Sequence, residues 1–343
     1  MKISASILCL ALALSLAGCR GAIDREVDHN SLTSAEAAPG DAQGTPAPRV
    51  SGDFQGEVER LKAEGLVLVE AAEASLDGRA RHLAAIFKRA RPEAADATQA
   101  YELRILESDG RSARTVFRRA EFFFSFATPF AASAGKDSGT GLNLTDINGD
   151  GVKEVIVQSS SGGNCWSCNP TEIYSIRNQK VELIAASPMQ DVRDLDGDGS
   201  MELVVTDPRW ELYGDLSHAA SPFASVIFRW KNNRYVYASS DFPGFYKEEL
   251  NRLRASIEGA RAEITSEEFS DESYVGLSIS VALAHAHMGE VERGLKEMEA
   301  LLNLNAKSPA QRKRRAEIIK DFRSGDSSEK LRGMKYGDPM PLG

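Results

Sequence analysis

The sequence predicts an α+β protein in which antiparallel β-rich segments come first and a helical segment follows. Between residues 66 and 238, short runs rich in β-branched and aromatic residues alternate with turn signals. After Pro243 the composition shifts to Glu, Lys, Arg, Leu and Ala, with apolar residues at helical spacing. An acidic nine-residue motif also occurs twice in the β-rich part, each time running into an apolar segment that reads as a strand.

Residues 1–18 have the form of an export signal. Met1 and Lys2 open a short basic segment, residues 3–16 are mostly apolar, and Leu16-Ala17-Gly18-Cys19 closes the stretch with small residues before a cysteine. The apolar region is too short to span a bilayer as a mature helix. These four residues resemble the lipobox of bacterial lipoproteins. That resemblance implies cleavage before Cys19, acylation of its thiol and a membrane-anchored exported protein. Ordinary secretory cleavage after Gly18 is the alternative. Arg20 in place of an aspartate implies, by the same resemblance, the outer membrane, on its periplasmic face or at the cell surface.

Residues 19–52 carry the lipidated cysteine and a stretch of Ala, Pro, Gly, Ser, Thr and Asp with few large apolar residues. Such a segment cannot bury enough surface to offset its ordering entropy, so it reads as a disordered tether. It would hold the folded part about 30 Å from the lipid. The net charge of −9, with dispersed basic residues, argues against nucleic acid as a partner. The run Arg312-Lys313-Arg314-Arg315 reads as a solvated helix face or as a patch for phosphate or lipid headgroups.

The β-rich domain is expected over 53–242. Strand-like runs fall at 66–69, 82–87, 101–106, 115–126, 154–158, 172–176, 180–185, 201–206, 225–230 and 234–238. Ser108-Asp109-Gly110, Arg177-Asn178-Gln179 and Lys231-Asn232-Asn233 suit hairpins, because Gly and Asn tolerate the positive φ of tight turns. The result reads as an antiparallel meander. Residues 57–63 could equally begin a helix. A helical region is expected over 243–325, with helices at 246–260, 267–288, 291–303 and 309–322, and a flexible tail over 326–343. Residues 281–295, with Gly289 at the turn, resemble one helical hairpin of a tetratricopeptide repeat. One unit cannot build the stacked array that such repeats need, so it implies a helical cap.

The repeated motif is Asp146-Ile-Asn148-Gly-Asp150-Gly-Val152-Lys-Glu154 and then Asp194-Leu-Asp196-Gly-Asp198-Gly-Ser200-Met-Glu202. A hard cation with oxygen ligands wants side chains at loop positions 1, 3 and 5, a carbonyl at 7 and a glycine at 6 to turn the chain. Both copies meet that specification, and like charges this close repel unless a cation sits among them. Ordinary acidic turns are the bland alternative. Calcium suits such flexible oxygen loops better than magnesium.

D-x-[DN]-G-D-G-x-x-[DE] followed by a strand resembles the FG-GAP or VCBS repeats of integrin-like β-propellers and secreted bacterial proteins. An EF-hand would need a bidentate Glu at position 12, where this chain has Val157 and Val205, and flanking helices. The resemblance covers about residues 142–242. It implies two structural Ca2+ sites, ligated by Asp146, Asn148, Asp150, the carbonyl of Val152 and Glu154, and by Asp194, Asp196, Asp198, the carbonyl of Ser200 and Glu202. Extracellular modules of this kind bind calcium at about 10⁻⁴ to 10⁻³ M. A closed propeller takes at least about four blades. Two loops therefore imply a partial or open propeller-like domain, with any blade lacking the loop falling between residues 66 and 126.

Cys165-Trp-Ser-Cys168 holds the other chemical signal. With Cys9 removed and Cys19 acylated, these are the remaining thiols of an exported chain, which favours a structural disulfide. A thioredoxin-type redox pair is the alternative, but the flanks read as strand and no βαβ context surrounds it. Zinc would need two further ligands. His285 and His287 lie two apart on a helix and cannot form an i, i+4 metal pair. His218 beside Ser217 is no nucleophile and base by adjacency alone. The aromatic loop 208–223 reads as a recognition surface or as packing over a sheet edge. The expectation is a non-enzymatic calcium-binding envelope lipoprotein presenting its surface to a protein or glycan partner. Its rival is an envelope thiol-disulfide oxidoreductase using Cys165 and Cys168.

Overall fold

The computed structural model describes residues 48–90, 100–121, 123–126 and 143–333. The export signal, Cys19 and most of the expected tether lie outside these residues. Val50 and Gly52, assigned to the tether from sequence, instead belong to the folded part: Val50 packs on a buried cluster and Gly52 opens a helix.

Helix α1 (Gly52–Ala63) precedes a four-stranded antiparallel meander of β1 (Leu66–Ala74), β2 (Arg81–Arg89), β3 (Tyr101–Ser108) and β4 (Ala113–Glu121). The second sheet has the order β5-β7-β8-β9, with β6 also on β7, from β5 (Phe123–Phe126), β6 (Asn143–Thr145), β7 (Glu154–Ser160), β8 (Thr171–Arg177) and β9 (Lys180–Ser187). The third is β10 (Met189–Arg193), β11 (Glu202–Thr206), β12 (Ser225–Lys231) and β13 (Arg234–Tyr237) in chain order. Helices α2 (Pro243–Ala262), α3 (Glu272–His287), α4 (Val291–Leu302), α5 (Pro309–Ser324) and α6 (Asp326–Arg332) follow. The class is therefore α+β, with antiparallel sheets before helices.

The alternation of side chains along each strand stacks these layers. Leu83, Ala85 and Phe87 of β2 face α1 through Phe54, Val58 and Leu61. Their neighbours Ala84 and Ile86 face Val155, Val157 and Tyr174 of the second sheet. That sheet turns Ile156 and Ile173 toward Leu203, Val205, Val226 and Phe228 of the third. Val204 and Ile227 then meet Tyr246, Leu250 and Val281 of α2 and α3. Strands β2, β7, β11 and β12 are thus buried on both sides, which is why Val155-Ile-Val157 and Leu203-Val-Val205 are continuous apolar runs rather than alternating ones. A fully buried Leu, Ile or Phe contributes about 1.5–3 kcal/mol. Helical layers cover both ends of the stack, and no closed ring of sheets forms among the described residues.

Gly110 with φ 83°, and Asn178, Gln179, Asn232 and Asn233 with φ between 50° and 62°, turn the three expected hairpins. The run expected over 115–126 divides, because β4 ends the first sheet and β5 crosses to the second. The tail expected from 326 begins instead with α6, whose Leu331 is buried. Helix α3 is buried almost all round, held between the third sheet and α4, which accounts for its Gly, Ser and Ala content. The basic run on α5 is not a uniformly solvated face. Arg315 is buried against Asp271 at 2.7 Å and Arg314 pairs with the same carboxylate, so half of the run docks α5 onto the start of α3. The loop 208–223 packs rather than projects: Trp210 is fully buried and stacks on Phe322 at 5.5 Å. No helix among the described residues is long and apolar enough to cross a membrane.

Candidate metal loops and the disulfide

The first acidic loop joins β6 to β7 and the second joins β10 to β11. Glycines with φ between 74° and 90° turn both chains. In the first loop, Asp146 accepts from the amides of Gly149 and Gly151, Asn148 Oδ1 from that of Asp150, and Asp150 from that of Val152. The second repeats this pattern: Asp194 accepts from the amides of Gly197 and Gly199, Asp196 from that of Asp198, and Asp198 from that of Ser200. The loops lie side by side, with the Met201 amide donating to the Ile147 carbonyl at 2.8 Å and Ser200 Oγ lying 3.4 Å from the Asn148 carbonyl.

The ninth residue of each loop is a glutamate with no solvent exposure. Glu154 Oε2 accepts from the Ile147 amide and Oε1 from Asn148 Nδ2 at 2.8 Å. Glu202 Oε2 accepts from the Leu195 amide at 2.8 Å, whereas its buried Oε1 has no hydrogen-bond partner. Burial pushes both carboxyls up to about 7, and the neighbouring aspartates add to the shift. Asp194, Asp196 and Glu202 each bring an oxygen within 4.8 Å of the others. Asp198 stands outside that trio, held by the Ser200 amide. In the first loop Asn148 replaces the second acid and turns its amide nitrogen to Glu154.

A degenerate third copy connects β1 to β2. Leu76-Asp77-Gly78 matches Ile147-Asn148-Gly149 and Leu195-Asp196-Gly197, with Gly78 also at positive φ. The Leu76 amide lies 3.3 Å from Nδ1 of buried His82, the place where Glu154 and Glu202 accept in the other sheets. The missing acids hid this copy from motif reading, although the Leu-Asp-Gly echo was visible.

Cys165 and Cys168 form a disulfide with Cα atoms 5.0 Å apart, in the short 3-10 turn between β7 and β8. Neither a long helix nor a βαβ unit follows. The Trp166 amide donates to Glu211 at 2.8 Å, and Glu211 also meets His218 Nδ1 at 2.9 Å. Cys168 lines a cavity of about 620 Å³, whose wall combines Val205 and Phe228 with the ion pairs Arg119–Glu172 and Arg209–Asp207. Its volume falls in the range of small-ligand sites. His285 and His287 are both buried, and no metal group containing either is found among the described residues. His285 lies between Glu290 and Glu297, each 3.0 Å away, while His287 Nδ1 meets the Tyr237 hydroxyl.

No family model and no curated protein matches this chain.

Proposed function

We propose that this chain is a non-enzymatic, calcium-stabilised envelope lipoprotein, anchored through Cys19, whose stacked sheets form an open propeller-like module of the FG-GAP or VCBS kind. The observation that carries this reading is Glu202: a buried carboxylate with an unpartnered oxygen, which forms a trio of carboxylates with Asp194 and Asp196. A buried polar atom without a partner is costly, and a divalent ion would satisfy it while relieving repulsion among the aspartates. Asp146, Asn148, Asp150 and Glu154 would hold a second ion, with the carbonyls of Val152 and Ser200 completing the two sets. The third loop at 76–82 supports a repeated module, since it stands at the same place in its sheet. The cavity beside Cys168 supports a partner-binding role, with a protein segment or glycan as occupant.

Thermal unfolding of the full-length protein, titrated with calcium, magnesium and chelator, tests the reading. Calcium binding to the native state must raise the midpoint as its free concentration rises. A calcium-specific rise, blunted in Asp150→Ala and Asp198→Ala, is expected. No shift at millimolar calcium would remove the metal reading.

One observation favours the thiol oxidoreductase as a second reading: Cys168 lines the cavity, so a bound chain could reach the disulfide.

A further inference from the structure

One position recurs in all three sheets with a different occupant each time, directly across from the side chain that accepts the amide of Leu76, Ile147 or Leu195. His82 pairs with Glu107 between β2 and β3. Val155 pairs with Tyr174 and Leu203 with Phe228, which places Glu154 across from Ser175 and Glu202 across from Arg229. Ser175 hydrogen-bonds Glu154 and brings no charge. Arg229 brings a full one. Its Nη2 meets Asp196 Oδ2 at 2.7 Å, Nη1 lies 3.3 Å from Asp241 Oδ2, and the guanidinium stacks over Phe242 at 4.8 Å. Its buried Nε stands 3.7 Å from Glu202 Oε1, and neither atom has a hydrogen-bond partner.

We propose, resting on the calcium reading of these loops, that Arg229 is the resident cation of the second loop and the internal competitor of calcium there. Without metal, the guanidinium holds Asp196 and balances Glu202, so the loop stays ordered. Calcium needs oxygens of those same two carboxylates, and two cations drawn to one pair of carboxylates repel each other. Entry of the ion therefore displaces Arg229 toward Asp241 and Phe242, where an anion and an aromatic face remain for it. An arginine cannot be neutralised by deprotonation, so movement is its one way out. The first loop carries Asn148 and Ser175 in place of Asp196 and Arg229 and has no such competitor. The second loop should thus fill at higher calcium than its four acids alone would dictate, and its order should depend less on calcium.

Calorimetric calcium titration of the full-length wild type, Arg229→Ser, Arg229→Gln and Arg229→Lys tests this, with thermal midpoints measured in chelator. Ser reproduces the second sheet's residue, Gln keeps bulk over Phe242 if the smaller side chain fails to fold, and Lys keeps the charge. The neutral variants should tighten one calcium site about fivefold or more and lower the metal-free midpoint, while Lys leaves affinity near wild type. Unchanged affinities in the neutral variants, with calcium still bound, would overturn the role of Arg229 and leave the calcium reading standing. Heats absent from every protein, wild type included, would overturn both.

Discussion

A Cβ on Gly294 would stand 2.7 Å from the Cβ of His285 and 2.9 Å from the carbonyl oxygen of Ala282, so α4 crosses α3 at backbone distance. This contact shapes the helical hairpin read from sequence at 281–295. Alanine favours a helix over glycine by about 1 kcal/mol. Overpacking a tight crossing costs about 1–3 kcal/mol, and here both neighbours belong to a buried helix that cannot yield cheaply. Gly294→Ala should therefore lower the urea-derived unfolding free energy by about 1 kcal/mol or more. Gly259, exposed on α2 with open space around its would-be Cβ, should give the opposite sign, with Gly259→Ala stabilising by about 0.5–1 kcal/mol. Equal effects at the two sites would refute the close crossing.

Glu102 on β3 is fully buried and receives Arg89, Arg104 at 2.7 Å and Arg118 at 2.8 Å. Burial alone would push its carboxyl up, but the hydrogen bonds from Arg118 and Arg104 outweigh burial and hold it below the usual carboxylate value. A depressed folded pKa stabilises the protein above the unfolded value near 4.5 and loses that contribution as pH falls through the folded one. Removing one member of a buried ionic group strands the others, at a cost of about 3 kcal/mol. Glu102→Gln should show that loss at pH 7 and a smaller further loss on acidification below pH 4.5 than wild type. Identical acid profiles in denaturant titrations would rule this out.

His287 acts in a higher pH window. Burial against the Tyr246 ring and the Tyr237 hydroxyl pushes its pKa down to about 3, with Asp207 and Arg209 acting on it in opposite directions. The unfolded chain binds this proton near 6.5, so acidification from 6.5 toward 3 favours unfolding by at most about 1.4 kcal/mol per pH unit. His287→Phe should flatten the stability profile between pH 6.5 and 5. His82, also buried and shifted down, leaves a residual slope in that variant. An unchanged slope would mean that His287 protonates within the fold.

What was legible in the sequence follows from what the motifs encode. Strand runs and the glycine and asparagines of hairpins specify local backbone, so β2, β3, β7, β8, β9, β11, β12 and β13 and three tight turns were readable. β6 and β10 were not, because Asn143–Thr145 and Met189–Arg193 are short and carry little β-branched content. The first half of α1 was lost to the low-complexity stretch before it. The run 312–315 looked solvated because nothing in the sequence links it to Asp271, more than 40 positions upstream in the chain. In the candidate site the ligand pattern was plain, while Arg229 and Ser175 were invisible: each acts across a strand pair, and only register brings it to its loop.

The disulfide separates the two functional readings. Cys165 and Cys168 are three positions apart, so their bond removes little freedom from the unfolded chain, worth about 2 kcal/mol in the loop-entropy account. A Cβ at Gly163 would come 2.4 Å from Cys168 Sγ, so the surrounding turn is fitted to the bonded sulfur. As a structural bond it should have a reduction potential below about −300 mV, and the double variant Cys165→Ser, Cys168→Ser should lose about 2 kcal/mol in urea while keeping its calcium response. A catalytic pair would instead give a much higher potential and wild-type turnover in an insulin-reduction assay that the double variant lacks. The turn contains three residues of 3-10 helix and no α-helix N-terminus to stabilise a thiolate, which favours the structural outcome.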